Sequence, residues 1–150
     1  MSAEAKLAEF GITLPAPPTP AGLYAPCVRS GSLLYVSGQI PSKDGQMPSG
    51  YLGKDVTVEE GQAHARQCTI NALSIVRGEL GSLDAVKRVV RIGGFVASAP
   101  GFTDQPAVVN GASQLLIDLF GEAGKHARAA VGVAELPRGV PVEVEFLFEV

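Results

Sequence analysis

The sequence is poor in the residues that staple small proteins or hold metals: two cysteines, Cys27 and Cys68, and two histidines, His64 and His126, occur among 150 residues. No CxxC or Cys/His spacing links them, so neither a disulfide framework nor a zinc site underlies the fold. Both cysteines read as small buried hydrophobes. No run of lysine or arginine forms the footprint of a protein that grips phosphate backbones, and the formal net charge is -3, which argues against nucleic acid as a partner. No apolar run reaches membrane-spanning length, and Met1 to Lys6 lacks the basic region and apolar stretch of a secretory leader, so a cytoplasmic protein without a membrane partner is expected. Covalent acyl chemistry has no GxSxG string to support it. Gly121-Glu122-Ala123-Gly124-Lys125-His126 has the wrong spacing for a phosphate loop and no Ser or Thr after Lys125. No cofactor and no metal are expected.

What is present is apolar: hydrophobic residues make up 46% and charged ones 18%, enough to offset the conformational entropy of a folded chain. Residues 1–150 read as one domain, with residues 1–23 as an N-terminal arm. Leu7 and Phe10 lead there into Pro15-Ala16-Pro17-Pro18-Thr19-Pro20, an extended surface strap. Cys27 to Arg29 and Leu33 to Ser37 flank Ser30-Gly31-Ser32 as a hairpin. Gly38 to Thr57 is a long loop of the kind that carries function. Thr57-Val58-Glu59-Glu60 is a capping box, followed by Ala65, Cys68, Ala72, Val76 and Leu80 at helical spacing and by Gly81 as a stop.

Val86 to Val96 reads as a strand with a weak or bulged middle at Gly93-Gly94. Pro106 suits a first helical turn, and Val109, Ala112, Leu116 and Leu119/Phe120 continue a second amphipathic helix to Gly121 and Gly124. Arg128 to Ala134 and Val140 to Val150 are strands joined by Glu135 to Gly139. The order β-β-α-β-α-β-β implies an α+β fold with two helices on one face of a mixed sheet.

Strand alternation then sorts side chains by face. Val142, Val144, Phe146 and Phe148 oppose Glu143, Glu145, Leu147 and Glu149; Val131 and Val133 oppose Arg128, Ala130 and Gly132; Val90, Ile92 and Val96 oppose Arg91, Gly93 and Phe95. If the valine faces pack under the helices, the other face gathers Arg91, Arg128, Glu143 and Glu145 around Gly93, Ala130 and Gly132. Such a charged, hollow patch is either a solvated face or a binding site walled by a neighbouring subunit, and Phe95 and Leu147 within it call for a partner surface.

From about Tyr24 onward the sequence resembles the RidA/YjgF family, reactive imine deaminases long also labelled L-PSP endoribonucleases. The resemblance rests on Leu34-Tyr35-Val36-Ser37-Gly38-Gln39-Ile40-Pro41, on Ala127 through Pro137, and on Val140-Pro141-Val142-Glu143-Val144-Glu145. It implies a chorismate-mutase-like fold, a homotrimer, and clefts between subunits that take a small carboxylate-bearing metabolite, a 2-imino or 2-keto acid. It further implies Arg128 as carboxylate anchor, Glu143 as the catalytic acid/base, and Tyr24, Asn110 and Ala130 as substrate-binding positions. Many active members carry cysteine where Ala130 stands, and the segment from Gly93 to Asp104 also differs, so the chain reads as a divergent subgroup. The expected activity is hydrolysis of 2-imino or enamine acids to 2-keto acids and ammonia. The alternatives are a non-catalytic module that binds or senses such metabolites in the same cleft and, from the older label alone, RNA cleavage.

Overall fold

The fold is described from a computed structural model covering residues 1–150. Strands β1 (Cys27–Ser30) and β2 (Leu33–Gln39) form the expected hairpin, turning at Gly31, whose φ of 61° favours glycine. Helix α2 (Val58–Leu80) starts where the capping box places it: the Thr57 hydroxyl accepts the Glu60 N–H at 3.1 Å, and the Glu60 carboxylate accepts the Thr57 N–H at 3.1 Å. It stops at Gly81, which is left-handed with φ 83°. Strand β3 (Arg88–Ala97), helix α3 (Gln105–Phe120), and strands β4 (Ala127–Val133) and β5 (Val142–Glu149) follow.

The sheet runs β1-β2-β5-β3-β4, with β3 and β4 parallel and all other neighbours antiparallel. The parallel pair is possible because α3 carries the chain back between them. Along β5 the alternation holds: Val142, Val144, Phe146 and Phe148 are buried, while Glu143, Glu145, Leu147 and Glu149 are half-buried on the other side. Helices α2 and α3 cover the buried side and share one core with it. The helices approach closely at Gly111, where a Cβ would lie 2.0 Å from the Gln62 carbonyl oxygen. No helix is long and apolar enough to cross a membrane.

Three expectations need correction. The arm contains a third helix, α1 (Ala3–Glu9), capped by the Ser2 hydroxyl and burying Ala3 and Leu7. Glu4 anchors it, accepting from Arg77 Nη2 at 2.6 Å, Arg77 Nε at 3.1 Å and the Leu83 N–H at 2.9 Å. In β3 the irregularity falls at Val89–Arg91 rather than at the glycine pair, so Val89 enters the core in place of Val90. Gly94 serves packing instead: a Cβ there would lie 2.4 Å from Val109 Cγ2.

The largest correction concerns β4. Its register pairs Ile92 with Arg128, Gly94 with Ala130 and Val96 with Gly132, all on the helix side of β3. Val131 instead points outward at 45% exposure. An edge strand under α3 has room there for small residues and one long one, so the valines turn away. Arg128 therefore leaves the patch assigned to it, and the open face keeps Arg91, Glu143 and Glu145.

Candidate functional site

Arg128 opens β4 beneath α3 and is fixed by three acceptors. Its Nη1 donates to Asn110 Oδ1 at 2.8 Å and to Ser113 Oγ at 3.0 Å, and Nη2 donates to the Pro106 carbonyl at 3.0 Å. All three acceptors belong to α3, which Pro106 opens in its first turn and whose apolar stripe of Val109, Ala112 and Leu116 is buried. No carboxylate of the chain forms an ion pair with Arg128. Of the five guanidinium N–H groups, Nε–H and one on Nη2 have no protein partner, which leaves a donor pair suited to a planar carboxylate. Asn110 thus stands beside Arg128. Ala130 sits two residues along the same side, packed against the core.

The open face carries the acidic half. Arg91 Nη1 meets Glu145 Oε1 at 3.3 Å, both about half exposed, so the pair adds little to stability. Glu143 lies opposite Phe95 in the ladder, and its side chain passes over Gly38, where a Cβ would be 3.0 Å from Oε1. Gly93 leaves the same kind of space beneath Glu145. Burial, and then the neighbouring Glu145 charge, raise the Glu143 pKa above the ordinary carboxylate value. Glu143 can therefore hold and release a proton nearer neutrality than a free carboxylate can.

Tyr24 is exposed, with its hydroxyl accepting the Ala21 N–H at 3.3 Å. It lines a recess of about 180 Å³ together with Pro18, Gly38, Gln39, Met47 and Arg138. Gly38 is also the residue under Glu143, so the Tyr24 recess adjoins the open face there, while Ile75 of α2 lines it from the helix side. Arg128 and Asn110 lie on the opposite side of the sheet from Glu143 and at its edge. Within one chain, therefore, Arg128 and Asn110 meet, but the five residues inferred from the sequence do not come together in one place.

Sequence reasoning missed the pairing of Ser113 with His126, which lies in the loop before β4; their hydrogen bond is 2.9 Å long. Neither had a local signal, since the contact is made only when β4 docks under α3. The two cysteines lie away from Arg128: Cys68 is in the core with Sγ 3.9 Å from the Val142 carbonyl, and Cys27 is half-buried near Glu79.

Known proteins resemble the chain over nearly its whole length. Protein TCP17 of Trypanosoma cruzi is 52% identical, covering 97% of this chain and 92% of its own length. A 2-iminobutanoate/2-iminopropanoate deaminase of Dermatophagoides farinae is 29% identical, covering 89% and 91%. The crystal structure of Atu1372, a protein of unknown function from Agrobacterium tumefaciens, superposes with a TM-score of 0.90 at 44% identity, covering 99% of this chain and 91% of that one. The family model described as YjgF/chorismate mutase-like, putative endoribonuclease, matches residues 4–148. With that span and these relatives, the chain belongs to the YjgF family, the group that also bears the RidA name.

Proposed function

We propose that this protein hydrolyses 2-imino and enamine acids to 2-keto acids and ammonia in clefts between the subunits of a homotrimer. The observation that carries the reading is the fixed guanidinium of Arg128, which has three protein acceptors, no acidic partner and two N–H groups left over. A substrate carboxylate fits that fork and places its C=N carbon next to the cleft. Glu143, half-buried and with a raised pKa, holds the water.

In the reaction the water oxygen bonds to the imine carbon while Glu143 takes one of the water's protons. Passing that proton to the nitrogen, which takes up the C=N π pair, gives a carbinolamine; Glu143 then takes the hydroxyl proton and delivers it to the amino nitrogen as the C=O bond forms, the C–N bond breaks and ammonia leaves. No nucleophilic side chain is consumed, and orientation of substrate and water supplies much of the acceleration. The relative from Dermatophagoides farinae, named for this activity, supports the assignment.

The division of the site supports the closed, trimeric assembly of this reading. Arg128 and Glu143 lie on opposite sides of one sheet, so they act on one substrate only if an edge bearing Arg128 from one copy reaches the open face of the next. A cyclic assembly repeats that head-to-tail contact and closes it. Tyr24, whose recess adjoins Gly38 beneath Glu143, then covers the cleft. Two unpaired thiols suit a reducing cytoplasmic setting.

The test is to add the purified protein to a dehydratase that generates 2-iminobutanoate in the presence of semicarbazide. Loss of trapped adduct with matching ammonia release is expected, from a protein that light scattering finds trimeric. Tight keto-acid binding without faster ammonia release would instead establish a sensing or carrier module.

A further inference from the structure

The Arg128 site continues behind the guanidinium into a directional chain of hydrogen bonds. His126 Nδ1 lies 2.6 Å from the Gly124 carbonyl oxygen, a group that only accepts. Nδ1 therefore carries the imidazole proton, and Nε2 presents its lone pair to Ser113 Oγ at 2.9 Å. Ser113 must then donate its hydroxyl proton to His126, which turns the oxygen's lone pairs towards Arg128 Nη1, 3.0 Å away. The opposite tautomer would set a nitrogen lone pair against a carbonyl lone pair and direct the Ser113 proton at the guanidinium. Burial lowers the His126 pKa below 6.5, and the nearby Arg128 charge acts in the same sense, against the opposite pull of the Gly124 carbonyl. The imidazole is thus neutral where the site works.

We propose that His126, acting through Ser113, is a positioning residue for the carboxylate anchor. Its tautomer keeps Ser113 an acceptor, and Ser113 and Asn110 together hold both N–H groups of Arg128 Nη1. With Pro106 holding Nη2, the guanidinium plane is set, and the free Nε–H and Nη2–H point one way towards a ligand. The proposal rests on the reading of Arg128 as anchor. It assigns a role to two residues on different elements, Ser113 on α3 and His126 at the entry to β4, joined by this chain of bonds.

The experiment has one arm without ligand and one with it. In labelled protein, the His126 ring nitrogens should show the Nδ1–H tautomer by NMR, and the Arg128 Nη resonances should be split by restricted rotation. His126→Phe and Ser113→Ala should merge the Arg128 resonances. Those variants should also weaken 2-ketobutanoate binding and raise the imine KM roughly tenfold, the low end of what loss of an orienting partner costs a metal ligand, with kcat nearly unchanged. His126→Gln, whose amide oxygen can reach the Nε2 position, should recover most of the loss.

An Nε2–H tautomer, or variants whose Arg128 resonances stay split and whose affinity is unchanged, would overturn the proposal. So would variants that lose thermal stability alone. If wild-type protein shows the tautomer and the split resonances yet neither binds 2-ketobutanoate nor deaminates the imine, the anchor reading itself has failed and the relay is structural only.

Discussion

Replacing Gly111 with alanine adds one methyl group at the closest approach of the two long helices. A Cβ at this position would stand 2.0 Å from Gln62 O, 2.7 Å from Gln62 C and 2.8 Å from its Cα. The obstacle is the backbone of α2, which cannot rotate aside as a side chain can. Reaching even the ~3.3 Å of a close C–H···O contact requires α3 to withdraw by about 1.3 Å. Alanine gains about 1 kcal/mol of helix propensity over glycine, while overpacking a well-filled interface costs about 1–3 kcal/mol and sometimes more. With backbone on both sides the cost falls at the upper end, leaving a net loss of about 2 kcal/mol and a Tm lower by roughly 4–8 °C in a chain of this size.

Helix α3 also carries Asn110 and Ser113, so the same withdrawal stretches their bonds to Arg128 and weakens keto-acid binding. Gly78→Ala is the matched control: it too lies inside a helix, and its Cβ would meet only a Pro17 ring carbon at 3.3 Å. Thermal and urea unfolding of both variants, with calorimetric titration of 2-ketobutanoate, make the comparison. A Gly111→Ala protein as stable as wild type, with unchanged affinity, would show that the helix contact is slack and does not position the site.

Arg128→Ala should lower 2-ketobutanoate affinity by the roughly 2–5 kcal/mol lost when a buried charge pair is broken, about thirty-fold to several thousand-fold, while assembly persists in light scattering. Arg128→Lys should recover only part, because an ammonium lacks the planar fork. Turnover should fall as pH drops through the Glu143 pKa, above the usual 4.5, because the protonated carboxyl no longer takes the water's proton. Glu145→Gln removes a repelling charge and should move that acid limb to lower pH in a steady-state profile. The double variant Cys27→Ala/Cys68→Ala should keep its imine turnover per folded subunit, with a loss of stability traceable to core Cys68.

Much of the element order was legible because its punctuation is local. Thr57, Glu60 and Gly81 mark both ends of α2 through bonds spanning a few residues, and Gly31 marks the hairpin. Helix α1 was not legible: seven residues are held in place by burying Ala3 and Leu7 and by Glu4, whose partners Arg77 and Leu83 lie more than seventy positions away. In β4, valine was read as a core residue, yet on an edge strand Val131 faces outward and Arg128 takes the helix side, where Asn110 and Ser113 await it. The alternation of β5 placed Glu143 correctly because that strand is central, with a neighbour on each side to enforce its faces. Candidate residues could thus be named from the sequence, but their division between the two sides of the sheet depended on which side of an edge strand faces a helix.

The position of β5 also bears on how the chain comes together during synthesis. It follows every other strand in sequence yet lies between β2 and β3, with Leu33 to Gln39 on one side and Arg88 to Val96 on the other. Until residues 142–149 emerge, the nascent chain holds two fragments, the β1–β2 hairpin and the β3–β4 pair, each with an unpaired edge and an apolar face. Such edges invite pairing with another chain. A ribosome paused before Val142 would therefore expose a species prone to misassociation and to capture by chaperones, and passage of this one strand converts it into a continuous sheet.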